Sequence, residues 1–128
     1  MQLPKTVAET PNAPTPVGPY SIATEANGLV FLSGQVALIP ETGGRAPDDV
    51  TEQAHQVMRN IGAVLGDVGL GFDDIVKTTV FLGDIADYPA VNEVYAGYFD
   101  GPPPARSAVQ AGALPGGFLV EIEVVAAR

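Results

Sequence analysis

The amino-acid sequence predicts an α+β fold in which two helices pack on one face of a mixed sheet of about five strands. Hydrophobic residues follow two-residue spacing in some segments and helical spacing in others, in the order β-β-α-β-α-β-β. The 128 residues, of which 46% are hydrophobic, suffice for the core of one domain, residues 1–128. Two helices cover only one face of such a sheet, so we expect the other face to need a partner.

The N-terminal segment predicts an extended arm followed by a β-hairpin. Four prolines fall within residues 1–16, and proline is excluded from helix interiors and central strands. We therefore expect residues 1–16 to form an extended, proline-rich arm. From Tyr20 onward, two β-rich segments flank Asn27 and Gly28, the strongest short signal for a hairpin turn. The first two strands are predicted to be antiparallel.

Residues 49–68 predict the first helix. An apolar stripe recurs at helical spacing through Val50, Ala54, Val57, Met58, Ile61, Val64, Leu65 and Val68. The residues predicted to lie outside this stripe are Glu52, Gln53, Gln56 and Arg59. Asp49 followed by Glu52 resembles a capping box, and Gly69 suits the C-terminal end of the helix.

The second half of the chain predicts a strand, a shorter helix and two further strands. Residues 73–84 form a β-branched segment between turn formers, which indicates a strand. Asp87 is a suitable N-cap for the helix, and Pro89 is tolerated in its first turn. The apolar stripe of this helix consists of Val91, Val94, Tyr95 and Tyr98. Residues 106–111 and 118–127 have the composition of strands and are separated by a turn rich in glycine.

Composition and charge exclude several classes of function. Fifteen acidic residues against six basic ones give a formal net charge of −9, which disfavours nucleic acid and anionic membrane surfaces as partners. The absence of cysteine excludes disulfides, a thiolate nucleophile and cysteine-ligated metal sites. The N-terminus has no signal-peptide core, and no segment reaches the ~18 apolar residues of a membrane span. A cytoplasmic location is therefore expected.

The single histidine, His55, lies beside the apolar stripe of the first helix, with no second histidine nearby. We interpret it as a surface or half-buried polar residue and not as a metal ligand or general base. Serine triads also need a histidine and are disfavoured, and neither a nucleophile elbow nor a phosphate-binding loop is present. No metal site is predicted.

The charges in the last two predicted strands are the remaining candidates for chemistry. Alternation places Glu121 and Glu123 on one face of the last strand and an apolar series on the other. Arg106 shares a face with the small Ala108 and with Gln110, and it would approach the last strand if the two strands formed a hairpin. These charges fit either a solvated sheet face or a cleft beneath a partner subunit. In a cleft, the arginine would bind a small carboxylate, and a glutamate beside it would orient or deprotonate water.

Five blocks of the sequence resemble the RidA (YjgF-like) proteins, the reactive intermediate deaminases. The blocks follow the family's order at similar spacing and are GPYSIA, SGQV, DIVKTTVFLGD, VNEVYAGYF and PARSAVQAGALPGGFLVEIEVVA. The match covers nearly the whole chain from Gly18 onward. Its most specific part is the segment from the arginine to VEIE.

This resemblance implies a chorismate-mutase-like α+β fold that assembles as a homotrimer. The sheets of the trimer would form a central barrel, and three clefts would lie between subunits. The implied reaction is the hydrolysis of reactive enamines and imines, such as 2-iminobutanoate and 2-iminopropanoate, to 2-oxo acids and ammonia. The family uses neither a cofactor nor a metal, so none is expected here.

The resemblance also implies roles for individual residues. Arg106 takes the place of the family's carboxylate-binding arginine, and Glu121 that of its water-associated glutamate. The implied substrate-binding residues are Tyr20, Ser33, Gly34, Asn92, Arg106 and Ala108. Many members have a cysteine where this chain has Ala108, so no thiol takes part, but the backbone there can still contact substrate. Glu123 is interpreted as a structural or inter-subunit residue.

Three other functions remain open from the sequence. Some related proteins are described as ribonucleases or translation inhibitors, although the acidic charge of this chain opposes RNA binding. A trimer without catalysis would bind small carboxylates or partner proteins in the same clefts. A third alternative keeps the deaminase chemistry but acts on an imine or enamine specific to one pathway.

Overall fold

Six strands and two α-helices are present in the computed structural model, which describes residues 4–128. The strands are β1 (Thr6–Val7), β2 (Ala23–Ala26), β3 (Leu29–Gln35), β4 (Ile75–Leu82), β5 (Ala105–Gln110) and β6 (Val120–Ala127). The helices are α1 (Val50–Asp67) and α2 (Tyr88–Ala96). The strands form one sheet in the order β1-β2-β3-β6-β4-β5, in which only β4 and β5 are parallel. The predicted α+β class with a mixed sheet is confirmed.

The predicted hairpin joins β2 and β3. Asn27 and Gly28 form its turn with φ angles of 53° and 76°, the left-handed conformation that both central residues of a tight hairpin turn require. The N-terminal arm adds a strand that the sequence did not predict, because Thr6 and Val7 pair with β2. Residues 1–3 of the predicted arm lie outside the described residues.

Helix α1 begins and ends where the sequence predicts. The Asp49 carboxylate accepts a hydrogen bond from the Glu52 amide at 2.9 Å, and Gly69 follows the helix with a φ of 79°. The prediction that Gln53 and Gln56 lie outside the buried stripe is wrong, because both are buried. The side-chain oxygen of Gln53 accepts a hydrogen bond from the Leu119 backbone amide at 2.9 Å. This bond satisfies the buried side-chain oxygen and links α1 to the residue before β6.

Helix α2 carries three of the four predicted stripe residues, Val91, Val94 and Tyr95, but it ends at Ala96, before Tyr98, and it lacks the predicted cap. Asp87 occupies the N-cap position in a helical conformation, and its side chain accepts no capping hydrogen bond. Asp84 instead accepts a hydrogen bond from the Ala86 amide at 2.9 Å and caps a short 3-10 turn ahead of the helix. Pro89 lies in the first turn, as predicted.

The last two strands do not form the hairpin considered from the sequence. Strand β6 lies in the middle of the sheet between β3 and β4, whereas β5 pairs with the far edge of β4. The position of β6 follows from its inward-facing residues, since Val120, Ile122 and Val124 are all buried against the helices. A central strand buries this apolar series more completely than an edge strand would.

The face of the sheet opposite the helices is partly apolar and uncovered. Leu29, Phe31 and Val109 are each at least 36% exposed. Large apolar side chains grouped on one exposed face favour association with another surface. Within residues 4–128, neither helix is both long enough and apolar enough to cross a membrane.

Candidate functional site

A β-bulge places the first group of candidate residues. Between Leu32 and Gln35 on β3 the register with β6 shifts, so that three steps along β3 match two steps along β6. Ser33 and Gly34 form this bulge. Bulges bend a strand and re-aim its side chains, and they are frequent beside functional sites.

The bulge borders a pocket of about 550 Å³ on the side of the sheet that carries Glu121. The pocket residues that matter for the chemistry are Tyr20, Ser33, Gly34, Phe118, Glu121 and Glu123. Four of the residues implied by the family resemblance therefore lie together in one chain. Phe118 is an addition, since the sequence predicted it only as the first residue of the last strand.

The Glu121 carboxylate lies directly against the backbone of Gly34. A Cβ atom added at Gly34 would overlap the Glu121 Oε2 atom and lie 2.8 Å from its Cδ atom. A side chain larger than glycine at this position would therefore displace the Glu121 carboxylate, although φ is not positive there. Burial raises the pKa of the Glu121 carboxyl, and the negative charge of Glu123 raises it further. A carboxylate with a raised pKa is a stronger base towards water.

Ser33 and Tyr20 line the same pocket in different ways. The Ser33 hydroxyl donates a hydrogen bond to the Ser21 carbonyl oxygen at 2.6 Å, which uses its only donor. Ser33 therefore presents only acceptor lone pairs to a ligand in this conformation. Tyr20 is 46% exposed, so its ring is available to a ligand or to a neighbouring subunit.

Arg45 holds the loop that forms one wall of the pocket. Its Nη1 atom donates a hydrogen bond to the Gly116 carbonyl oxygen at 2.6 Å, and its guanidinium carbon lies 4.0 Å from the centroid of the Phe118 ring. Arg45 was not among the residues predicted from the sequence, although it is the only charged residue in the segment TGGRAP. Its partner loop is 71 residues away in the chain, so no local pattern connects the two.

Arg106 lies in a second group of residues on the helix-covered face of the sheet. Its Nη2 atom donates a hydrogen bond to the Tyr88 hydroxyl at 2.9 Å. Its guanidinium carbon lies 5.4 Å and 5.0 Å from the ring centroids of Tyr88 and Tyr95. Among residues 4–128, no carboxylate forms an ion pair with it. A cation that is held by aromatic rings and lacks an acidic partner is suited to bind an anion.

Tyr95 supports this arrangement from the core. Its hydroxyl shares a 2.7 Å hydrogen bond with the buried Thr78 hydroxyl. Burial raises the pKa of Tyr95, while the hydrogen bond with Thr78 and the charge of Arg106 act in the opposite direction. The ring under Arg106 is therefore a neutral phenol at physiological pH.

Two further predicted residues lie in the same neighbourhood as Arg106. Asn92 is one turn after Tyr88 on α2, and Ala108 is two residues after Arg106 on β5, facing the same side. Tyr88 itself was not among the residues predicted from the sequence. Its signal was present, because Tyr88, Asn92 and Tyr95 recur at the i, i+4, i+7 spacing of one helix face.

Arg106 and Glu121 lie on opposite faces of the sheet. Arg106 pairs with Thr78 and Glu121 pairs with Phe81, and these two residues of β4 are an odd number of positions apart. The cleft interpretation from the sequence placed a glutamate beside the arginine. Within one chain this is wrong, because the sheet separates the two residues. The two groups meet only if different chains contribute them.

Within residues 4–128, neither His55 nor a cluster of potential metal ligands forms a further candidate site. The His55 Nδ1 atom shares a 2.9 Å hydrogen bond with the Tyr98 hydroxyl, and the partly buried ring packs against this tyrosine, as expected for a structural histidine. Among the described residues, no three histidine, cysteine, aspartate or glutamate side chains come together as a possible metal site. The chain is thus a small α+β protein that carries an arginine between tyrosine rings on one face of its sheet and a glutamate-lined pocket on the other.

Comparison with known proteins identifies the family. The family model described as Endoribonuclease L-PSP matches residues 10–128. A Mus musculus protein named 2-iminobutanoate/2-iminopropanoate deaminase is 45% identical over 122 residues, covering 95% of this chain and 90% of that protein. The Arabidopsis thaliana protein named Reactive Intermediate Deaminase A, chloroplastic, is 49% identical, and the match covers 95% of this chain but 65% of the plant protein.

A solved structure agrees with these relatives. The crystal structure of a protein of unknown function of the conserved Rid family from Yersinia pestis has a TM-score of 0.93 and 49% identity. The match covers 97% of this chain and 99% of that one. The chain therefore belongs to the RidA (YjgF-like) family of reactive intermediate deaminases, as its sequence motifs predicted.

Proposed function

We propose that the protein is a 2-iminobutanoate/2-iminopropanoate deaminase, which hydrolyses reactive imines of small amino acids to 2-oxo acids and ammonia. The observation that carries the proposal is Arg106, a partly buried cation held by tyrosine rings, with no carboxylate partner among residues 4–128. The Mus musculus relative bears the name of this activity, which supports the same assignment.

Arg106 binds the carboxylate of the substrate in this mechanism. A guanidinium presents two parallel N–H groups that match the two oxygens of a carboxylate. Binding in this way fixes the direction in which the C2 carbon and its C=N bond point. Fixing the reacting atoms supplies much of the required rate increase, because imines also hydrolyse without a catalyst.

Glu121 activates the water molecule. Its carboxylate takes a proton from water as the water oxygen bonds to C2, and the electrons of the C=N double bond move to nitrogen. The raised pKa of Glu121 suits it to return this proton to the nitrogen, which gives the neutral carbinolamine. The hydroxyl proton then moves to the nitrogen, the C=O bond forms as the C–N bond breaks, and ammonia leaves.

We further propose that the active site is a cleft between subunits of a homotrimer. Because Arg106 and Glu121 lie on opposite faces of the sheet, a complete site needs the arginine of one subunit and the glutamate of a neighbour. Asn92 and Ala108 would accompany the arginine, while Tyr20, Ser33 and Gly34 would accompany the glutamate. The uncovered apolar face supplies a surface for this association.

To test the activity, a threonine dehydratase generates 2-iminobutanoate in situ, and the rate of 2-oxobutanoate release is measured with and without the protein. We expect the wild type to accelerate release, and Arg106→Ala and Glu121→Gln to abolish the acceleration. Arg59→Ala, which changes an exposed arginine on α1, serves as the matched control and keeps full activity. Absence of acceleration by the wild type would reject the proposal.

A mixing experiment tests the composite site. Co-refolded Arg106→Ala and Glu121→Gln chains form some clefts in which the arginine and the glutamate are both intact. Random mixing restores about a quarter of the sites, since each site takes one group from each of two neighbouring chains. No recovery of activity would contradict a site shared between subunits.

Ribonuclease activity is the second candidate because the matching family model is described as Endoribonuclease L-PSP. The net charge of −9 opposes binding to a polyanion. Incubating the same preparations with RNA separates this candidate, and binding of 2-oxobutanoate without imine turnover would identify a non-catalytic carboxylate-binding protein. The cytoplasmic location is also retained as a proposal, which localisation of the tagged protein would test.

A further inference from the structure

Tyr88 is the first residue of α2 and the direct neighbour of the Arg106 guanidinium. Its hydroxyl oxygen accepts the hydrogen bond from the Arg106 Nη2 atom, and its ring packs beside the cation. The residue is 38% exposed, so this contact lies at the surface of the chain and not in the core. A ligand that reaches Arg106 therefore also reaches the Tyr88 hydroxyl.

The hydrogen bond with Arg106 leaves the Tyr88 proton available. A phenol both donates and accepts, and arginine has no acceptor, so Tyr88 must be the acceptor in this pair. The other two tyrosines of this region differ, since the Tyr95 hydroxyl pairs with Thr78 and the Tyr98 hydroxyl pairs with His55. Among residues 4–128, no acceptor takes the Tyr88 proton.

We propose that the Tyr88 hydroxyl is the second donor of the carboxylate receptor. The Arg106 guanidinium would donate to both carboxylate oxygens, and one of these oxygens would also accept from the Tyr88 O–H group. The pair selects planar anions with two adjacent oxygens and discriminates against neutral imines, which offer no charged acceptor. This inference rests on the proposed function, because it names the way in which that site recognises its substrate.

The substitution Tyr88→Phe tests the role of the hydroxyl alone. The phenylalanine ring still packs against Arg106, but it offers no donor to a carboxylate. We expect KM for 2-iminobutanoate to rise about tenfold, as for the loss of a hydrogen bond to a charged group. We expect kcat to stay within about twofold, because binding is lost without a change at the C=N carbon. Tyr98→Phe is the matched control and leaves both constants unchanged.

A binding measurement separates direct contact from positioning of Arg106. The dissociation constant of 2-oxobutanoate, which carries the same carboxylate, is measured by NMR titration in a double-mutant cycle with Arg106→Lys. If Tyr88 contacts the ligand, Tyr88→Phe weakens binding in the wild type and weakens it again in the Arg106→Lys background. If Tyr88 only orients the guanidinium, Tyr88→Phe has no effect in that background, and direct contact is overturned.

The two proposals fail in different ways. A wild type that neither hydrolyses 2-iminobutanoate nor binds 2-oxobutanoate would reject the proposed function. A wild type that does both, with Tyr88→Phe unchanged in KM and in the dissociation constant, would reject only the role of Tyr88.

Discussion

The contact between Gly34 and the Glu121 carboxylate makes Gly34→Ala a sharp test of the site. The added Cβ atom would lie 2.8 Å from the Glu121 Cδ atom, whereas ordinary van der Waals contact begins at 3.4 Å. The carboxyl carbon must therefore move by about 0.6 Å, and the nearer oxygen must move further because it overlaps the new atom. Misplacing a catalytic group by about 1 Å reduces the rate by about 10²-fold. We expect a loss of this order in kcat.

The stability of Gly34→Ala should change much less than its activity. The clashing atoms belong to the end of a flexible, partly buried side chain, so the overpacking costs about 1 kcal/mol or less. The control is Gly112→Ala, where an added Cβ meets nothing within 4 Å and φ is not positive. Imine hydrolysis and urea unfolding are measured on both variants. If folded Gly34→Ala keeps kcat within threefold of the wild type, the placement of Glu121 against Gly34 is not needed for catalysis.

Three further predictions concern stability and assembly. Burial raises the pKa of Glu121 in the folded protein, so the fold loses stability as the pH rises from the ordinary glutamate pKa through this raised pKa. Glu121→Gln removes the ionised carboxylate, so it should raise Tm at pH 7 but not at pH 3. Gln53→Leu leaves the Leu119 amide without its acceptor and should lower the free energy of unfolding by about 1–3 kcal/mol, measured in urea with an unchanged m value. Phe31→Glu places a charge on the uncovered face of the sheet, so it should weaken the proposed trimer and lower the mass of the assembly measured by light scattering. An unchanged mass would show that the subunits do not associate through this face.

Elements encoded by short-range patterns were predicted well from the sequence. The turn at Asn27 and Gly28 depends on two residues that tolerate positive φ, and the start of α1 depends on one carboxylate and one amide three residues apart. Such features need no knowledge of the rest of the chain. The buried Gln53 shows the limit of this approach, because the amide that bonds to its side-chain oxygen belongs to Leu119, which is 66 residues away.

Strand order and the bulge depended on long-range pairing and were not predicted. A turn rich in glycine between two strands suggests a hairpin, but β5 pairs with β4 in parallel and β6 is inserted between β3 and β4. The register shift that creates the bulge at Ser33 and Gly34 exists only in the pairing of β3 with β6. The residue types at the candidate site were therefore readable from the sequence motifs, whereas their grouping was not.

The separation of Arg106 from Glu121 has the largest consequence for the proposed mechanism. Alternation fixes faces within one strand, but it relates two strands only when their register is known. Here both strands pair with β4, and the pairs at Thr78 and Phe81 put the two charges on opposite faces. A rigid sheet cannot bring them together, so a deaminase that uses both must be active only as an assembly. Activity per chain should then fall on dilution as the subunits dissociate, in parallel with the mass measured by light scattering.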